Sequence, residues 1–141
     1  PGGKKGDIPQ LVQNIDYAPT FLELAGAPIP ADIQGESLLP LLKGERPENW
    51  RNSLYYHYYE YPAEHSVKRH YGVRDDRYKL IHFYNDIDVW ELYDLQEDPH
   101  EMKNLYSKPS YEAMMKRVRD ELYKLQKQYD DPVGIRFNVS D

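Results

Sequence analysis

Four short segments rich in tyrosine, valine, isoleucine and tryptophan follow one another in the second half of the chain, and their close spacing constrains the fold more than any other feature. They cover residues 54–59, 70–74, 78–84 and 89–94. This composition is typical of β-strands. The last three are separated only by connections of hairpin length, such as the turn at Asp75. Because parallel strands need much longer crossovers, the pattern predicts a small antiparallel sheet of about four strands.

A stripe of apolar residues then predicts a long C-terminal helix. The members of this stripe are three or four positions apart: Tyr111, Met114 or Met115, Val118, Leu122, Leu125 and Tyr129. That spacing places them on one face of a helix, which we expect to pack on one face of the sheet in an α+β fold. The tail after Asp131 and Pro132 is predicted to be extended.

The first fifty residues predict helices instead of strands. Asn14 or Asp16 can cap a helix that runs to Ala25 and is ended by Gly26, and Ser37 can cap a second short helical turn. The apolar side chains of the first helix cover most of its circumference: Ile15, Tyr17, Ala18, Phe21, Leu22, Leu24 and Ala25. A helix of this kind needs cover on nearly all sides. We therefore expect the chain to be part of something larger, with a boundary near residue 50.

Composition excludes several classes of function. The formal net charge is −6, which argues against nucleic-acid binding because that requires clustered Lys and Arg. No apolar run approaches the roughly 20 residues that span a bilayer, so no membrane partner is expected. The chain contains no cysteine, which excludes disulfides, thiolate metal sites and a cysteine nucleophile.

The segment at residues 55–71 is the densest group of chemically versatile side chains, with six tyrosines and three histidines. Tyrosine offers a flat apolar face for sugar rings, and His, Lys and Arg offer donors for a sulfate or carboxylate. The alternative is that alternating tyrosines only cover an amphipathic sheet, and we favour it for residues 55–59. His57 and His82 fall within strands and are predicted to be packing or surface residues. His65 and His70 fall in or beside a loop and are candidates for binding. No spacing typical of a metal site is present.

Three local patterns, in order, resemble the C-terminal portion of a type I sulfatase of the alkaline-phosphatase-like superfamily. The first is NIDYAPTFLELAG at residues 14–26, which continues into QGESLLPLL at residues 34–42. The second is YGVRDDRYKLI at residues 71–81. The third is ELYDLQEDPHEMKNL at residues 91–105. Together these patterns extend over most of the chain.

The resemblance implies that residues 1–50 are the tail end of the α/β sulfatase catalytic domain and residues 51–141 the C-terminal α+β subdomain. Sulfatases use a formylglycine made from a C/S-x-P-x-R motif, whereas the segment that begins at Ser107 has Tyr111 where Arg is required. No segment supplies the acidic calcium ligands. Calcium and formylglycine are therefore expected in a missing N-terminal domain, the partner of this chain, and the 141 residues are expected to be inactive alone. Because similar bacterial enzymes are exported, the resemblance also implies a periplasmic or extracellular location.

In the sulfatase family the loops of the C-terminal subdomain help to form the wall of the substrate pocket. The resemblance thus implies that a sulfated carbohydrate contacts residues of the segment 59–70. The candidates for substrate binding are Tyr61, His65, Lys68, Arg69 and His70. Two alternatives stay open: a non-catalytic carbohydrate-binding or interaction module that acts alone, and part of a related phosphoesterase.

Overall fold

The computed structural model describes residues 6–137, and the chain divides into two units, Pro1–Leu54 and Tyr55–Asp141. The first unit contains helices α1 (Tyr17–Leu24) and α2 (Leu39–Leu42). The second contains most of a four-stranded sheet and the helices α3 (Glu112–Gln128) and α4 (Pro132–Phe137).

Asp16, one of the two predicted caps, precedes the first residue of α1, but its side chain makes no capping hydrogen bond to this helix. A single 3₁₀ turn, Asn14–Asp16, leads into the helix, and the residue before this turn is Gln13. The Asp16 side chain instead stabilises the 3₁₀ turn, because its Oδ2 accepts a hydrogen bond from the Gln13 amide at 2.7 Å. At the other end Gly26 has a φ of +67°, a left-handed conformation that favours glycine.

Asp16 is also the centre of the first unit. Its fully buried carboxylate accepts two hydrogen bonds from the Arg51 guanidinium, at 2.6 and 2.7 Å, and one from the Glu36 amide at 2.9 Å. A Cβ on Gly35 would lie 2.1 Å from the Ile15 carbonyl oxygen, so only glycine allows this close approach of the two segments. One carboxylate therefore joins the start of α1, the loop before α2 and the end of the unit.

The predicted antiparallel sheet is confirmed. Its strands pair in the order β1-β2-β3-β4. Both ends of every strand lie within one residue of the predicted position. Their bounds are Ser53–Tyr58, His70–Asp75, Tyr78–Phe83 and Val89–Asp94. The β3–β4 turn has left-handed residues at Asn85 and Asp88, with φ values of +64° and +42°.

Helix α3 packs across β2 and β3 and closes the core of the second unit. Val118, Leu122 and Leu125 all lie on the predicted stripe and are buried. They face buried strand residues that alternate along the sheet: Tyr71, Val73, Leu80 and Leu92. The prediction of an α+β fold with a C-terminal helix on one face of the sheet is therefore confirmed.

The tail after α3 was predicted to be extended, and this is wrong for the residues that the structure describes. Asp131 is the cap of α4, because its Oδ1 accepts the amides of Val133 and Gly134, both at 3.0 Å. Pro132 occupies the first helical position, where its missing N–H has no helical partner. Asp-Pro can end one helix and begin another, and these two residues alone do not distinguish the two possibilities. Residues 138–141 lie outside the described residues.

Candidate functional site

The β1–β2 loop, residues 59–69, carries four of the five predicted site residues, and His70 is the first residue of β2. The middle of the loop, residues 62–67, is exposed. The structure brings Tyr61, Lys68 and Arg69 together at the base of the loop. His65 lies in the exposed part and forms no hydrogen bond or ion pair with any residue in the range 6–137.

Tyr61 and Lys68 form a half-buried pair. The Lys68 ammonium lies 3.7 Å from the centroid of the Tyr61 ring and donates a hydrogen bond to the Tyr61 hydroxyl. Within the described part of the chain, no carboxylate is paired with Lys68. The pair therefore presents an aromatic ring beside a positive charge that no acidic side chain neutralises, a combination suited to a sugar that carries an anionic group.

Arg69 is engaged differently from Lys68. Its Nη1 donates to both oxygens of Asp86, at 3.1 and 3.2 Å, and its Nε donates to the Tyr59 carbonyl oxygen at 3.2 Å. The charge of the guanidinium is thus compensated by a carboxylate from the β3–β4 turn. Of the two cations that the sequence singled out, only Lys68 keeps an uncompensated charge.

His70 is part of an aromatic cluster on the sheet face opposite α3. Its ring centroid lies 5.4 Å from that of Tyr58, 5.9 Å from Tyr56 and 5.1 Å from Phe83. Gly72 makes room for this cluster, since a Cβ there would lie 2.5 Å from the Tyr56 hydroxyl. The His70 Nδ1 donates to the Lys68 carbonyl oxygen at 2.8 Å, so its neutral ring can only accept a hydrogen bond at Nε2.

On the α3 side of the sheet, the structure places two buried histidines between a carboxylate and a tyrosine. His57 Nδ1 donates to Asp131 Oδ2 at 2.5 Å, and its Nε2 accepts from the Tyr84 hydroxyl at 2.7 Å. His82 makes the same kind of contact with Asp88 and Tyr71, at 2.8 and 2.7 Å. Both histidines are therefore packing residues, one of the two outcomes that the sequence predicted. The hydrogen-bond partners of these histidines could not be predicted. In the case of His57, 74 residues separate it from Asp131, and no local spacing in the sequence indicates that contact.

Burial and hydrogen bonding together decide the protonation states of His57 and Asp131. Burial lowers the pKa of His57 below its ordinary value, although the hydrogen bond and charge of Asp131 act in the opposite direction. Burial alone would raise the pKa of Asp131, but hydrogen bonds from Tyr55, the Gly134 amide and His57 outweigh it and lower that pKa. Neutral His57 beside ionised Asp131 is thus the favoured state near pH 7.

We expect the stability of the second unit to fall in two stages on acidification. Below the ordinary histidine pKa of about 6.5, the unfolded chain binds a proton at His57 that the folded chain resists, with a slope of at most about 1.4 kcal/mol per pH unit. Below pH 3.8 the contribution of Asp131 is lost as well. Urea titrations between pH 2 and 8, read by hydrogen exchange on peptides of residues 55–137, measure both stages. His57→Gln should abolish the first stage. The control His100→Gln, which removes an exposed imidazole, should retain it, and equal profiles for the two variants would contradict the assignment.

No group of three or more His, Asp or Glu side chains within residues 6–137 is arranged to hold a metal ion. None of the helices in that range is both long and apolar enough to cross a membrane.

Comparison with known proteins gives consistent matches. A family model described as N-sulphoglucosamine sulphohydrolase, C-terminal, matches residues 1–128. An N-acetylglucosamine-6-O-sulfatase of Bacteroides thetaiotaomicron is 58% identical over 123 residues, which are 86% of this chain and 22% of that protein.

Two solved structures have the same fold. One, described as a complex with its substrate D-glucosamine-2-N,6-O-disulfate, is 56% identical, with a TM-score of 0.79, over 83% of this chain and 24% of that one. The other, described as a 2-O GAG sulfatase, is 31% identical, with a TM-score of 0.79, over 93% of this chain and 29% of that one. This chain thus spans between 22% and 29% of the length of these three relatives. Because the family model covers most of its residues, the chain belongs to the N-sulphoglucosamine sulphohydrolase, C-terminal, family of sulfatase domains.

Proposed function

We propose that the protein carrying this chain is a sulfatase that hydrolyses sulfate esters on carbohydrate, and that the chain forms its C-terminal part. Family membership supports the reaction class. A 58% identical relative is named for N-acetylglucosamine 6-O-sulfate, and a 56% identical one is bound to a 6-O-sulfated glucosamine. We therefore extend the proposal to 6-O-sulfated glucosamine as the substrate class.

We further propose that residues 1–50 complete the α/β catalytic domain. Three large apolar side chains lie at helical spacing on α1 and are exposed: Tyr17 at 57%, Phe21 at 67% and Leu24 at 53%. The rings of Tyr17 and Phe21 stack on each other with centroids 6.4 Å apart. A contiguous apolar face of this kind is typical of an interface. The rest of the catalytic domain is the proposed occupant, since the sulfatase relatives are several times longer than this chain.

Calcium and formylglycine are proposed to belong to that remaining part of the protein. The chain contains no cysteine, and the Ser107 segment lacks the arginine of the formylglycine motif. Among the described residues no acidic cluster has the arrangement of a metal site. In that part of the protein the formylglycine residue would supply the nucleophile and calcium would contribute to its activation, and this chain would contribute to substrate binding.

The β1–β2 loop is the proposed contribution of this chain to the substrate pocket. The Tyr61–Lys68 pair carries this part of the proposal, because it combines an aromatic ring with an uncompensated cation beside an exposed loop. The ring can pack on an apolar sugar face, and the ammonium can donate to a sulfate oxygen. His65 is exposed at the middle of the loop and can donate to the sugar or its sulfate.

His70 and Arg69 both donate hydrogen bonds to main-chain carbonyls within the chain. In its neutral form His70 is proposed to accept a hydrogen bond from a sugar hydroxyl at Nε2, because its Nδ1 proton is held by the Lys68 carbonyl. Lys68, and not Arg69, is proposed to contact the sulfate, because Asp86 compensates the charge of Arg69.

The intact protein, matured and supplied with calcium, tests the proposal directly. Hydrolysis of 6-O-sulfated N-acetylglucosamine should exceed that of 2-O-sulfated uronides and of aryl phosphates in kcat/KM. A preference for phosphate esters would contradict it and favour the phosphoesterase alternative. No turnover of any sulfated sugar by protein shown to contain formylglycine would also contradict it.

His65→Ala in the same protein is expected to lower kcat/KM about 5- to 150-fold, which corresponds to the roughly 1–3 kcal/mol of one missing polar contact. Steady-state kinetics on the 6-O-sulfated sugar measure the effect. His100→Ala removes another exposed histidine outside the loop and should leave kcat/KM unchanged. An unaltered kcat/KM in a folded His65→Ala protein would show that this side chain does not contact the substrate.

A further inference from the structure

The Arg69 guanidinium joins three segments of the second unit. It donates from Nε to the carbonyl of Tyr59, the first residue of the β1–β2 loop, and from Nη1 to Asp86 in the β3–β4 turn. Arg69 is itself the last residue of the same loop. The two ends of the loop are therefore tied to each other and, through Asp86, to a neighbouring turn.

The pair has the burial and geometry of a positioning contact. The side chains of Arg69 and Asp86 are 28% and 17% exposed, so water screens their attraction less than that of a surface pair. One nitrogen of Arg69 contacts both oxygens of Asp86 within 3.2 Å, which restricts the orientation of the guanidinium. The base of the loop is held a second time at Tyr59, whose ring stacks on buried His57 with centroids 3.8 Å apart.

The position of Lys68 depends on this arrangement. Lys68 precedes Arg69 directly, and its carbonyl accepts a hydrogen bond from the Nδ1 of His70. The backbone on the C-terminal side of Lys68 is thus held by the side chains of the two residues that follow it. The ammonium of Lys68 in turn lies over Tyr61, near the other end of the loop. A shift of Arg69 would move the Tyr61–Lys68 pair without removing either residue.

We propose that Arg69 and Asp86 form a clasp that positions the β1–β2 loop for substrate binding, and that Arg69 is a positioning residue and not a substrate ligand. This inference rests on the proposed function of the loop. Asp86, which no motif in the sequence singles out, is then as important for substrate binding as Arg69. A displaced pocket wall weakens the binding of the substrate and of the transition state alike. Loss of the Arg69–Asp86 pair should therefore raise KM.

The test compares Arg69→Ala, Asp86→Ala and the double variant in the intact protein. Each single variant should raise KM for the 6-O-sulfated sugar roughly tenfold with little change in kcat, and the double variant should be no worse than either single variant. The exchanged pair, Arg69→Asp with Asp86→Arg, should recover part of the loss in substrate binding.

Hydrogen exchange of peptides from residues 60–68 should accelerate in both single variants. Glu101→Gln, which weakens the Lys79–Glu101 pair of comparable burial, is the matched control and should change neither readout.

Two results would overturn the clasp. If Arg69→Ala raises KM and Asp86→Ala does not, Arg69 contacts the substrate itself. If loop exchange is the same in wild type and in both single variants, the pair does not hold the loop. The exchange measurement needs no substrate, so failure of the clasp can be distinguished from failure of the proposed sulfatase activity.

Discussion

Asp16→Ala is expected to lower the free energy of unfolding of the Pro1–Leu54 unit by about 3–5 kcal/mol, because it breaks a buried ion pair by removing one partner. The substitution takes the bidentate carboxylate away from the Arg51 guanidinium, whose side chain is 8% exposed. It also deprives the amides of Gln13 and Glu36 of their acceptor. Burial alone would raise the pKa of Asp16, but hydrogen bonds from Arg51 and these two amides outweigh it and keep the pKa low.

Hydrogen exchange across a urea series, read on peptides from residues 6–54 of the intact protein, measures this loss. Asp120→Ala is the matched control, because the Lys116–Asp120 pair is exposed on α3 and such pairs contribute about 0–1 kcal/mol. A loss below about 1 kcal/mol in Asp16→Ala would mean that the ion pair does not hold the unit together.

Leu122→Ala is expected to destabilise the second unit by about 2–5 kcal/mol. Leu122 is completely buried where α3 crosses the sheet, and truncation leaves a cavity between the helix and strand residues such as Leu80 and Leu92. The same exchange measurement, on peptides from residues 55–137, gives the change. Met102→Ala is the control, since Met102 is 79% exposed and such substitutions usually change stability by less than about 0.5 kcal/mol. Equal effects of the two substitutions would contradict the packing of α3 described here.

The sheet and α3 could be predicted from the sequence because their signals are local. Connections of hairpin length allow only antiparallel pairing of neighbouring strands, because parallel pairing needs a longer crossover. The apolar stripe at helical spacing identifies the face of α3 that is buried. Helix α4 was missed for an equally local reason. Asp131 and Pro132 can begin a helix as readily as they can end one, and only the amides of Val133 and Gly134, which donate to Asp131 Oδ1, distinguish the two.

The candidate site was predictable only in part. The tyrosine- and histidine-rich composition of residues 55–71 pointed to the β1–β2 loop, and the chemical types of Tyr61, His65 and Lys68 could be read directly. The sequence could not separate Lys68 from Arg69. That distinction depends on Asp86, which is 17 residues from Arg69 and reaches it only after β2 and β3 have paired.

By itself, then, the sequence determined the class of the four strands and of helices α1 to α3, and the family of the chain, since these signals are carried by residues close together along it. Tertiary structure alone decided which polar groups became partners: Asp16 with Arg51 over 35 residues, His57 with Asp131 over 74, and Arg69 with Asp86. The physical reason is that a buried charge is stable only beside a partner in the folded chain. Several residues of the chain have the right chemistry to be that partner, and the fold selects the one that lies within hydrogen-bonding distance.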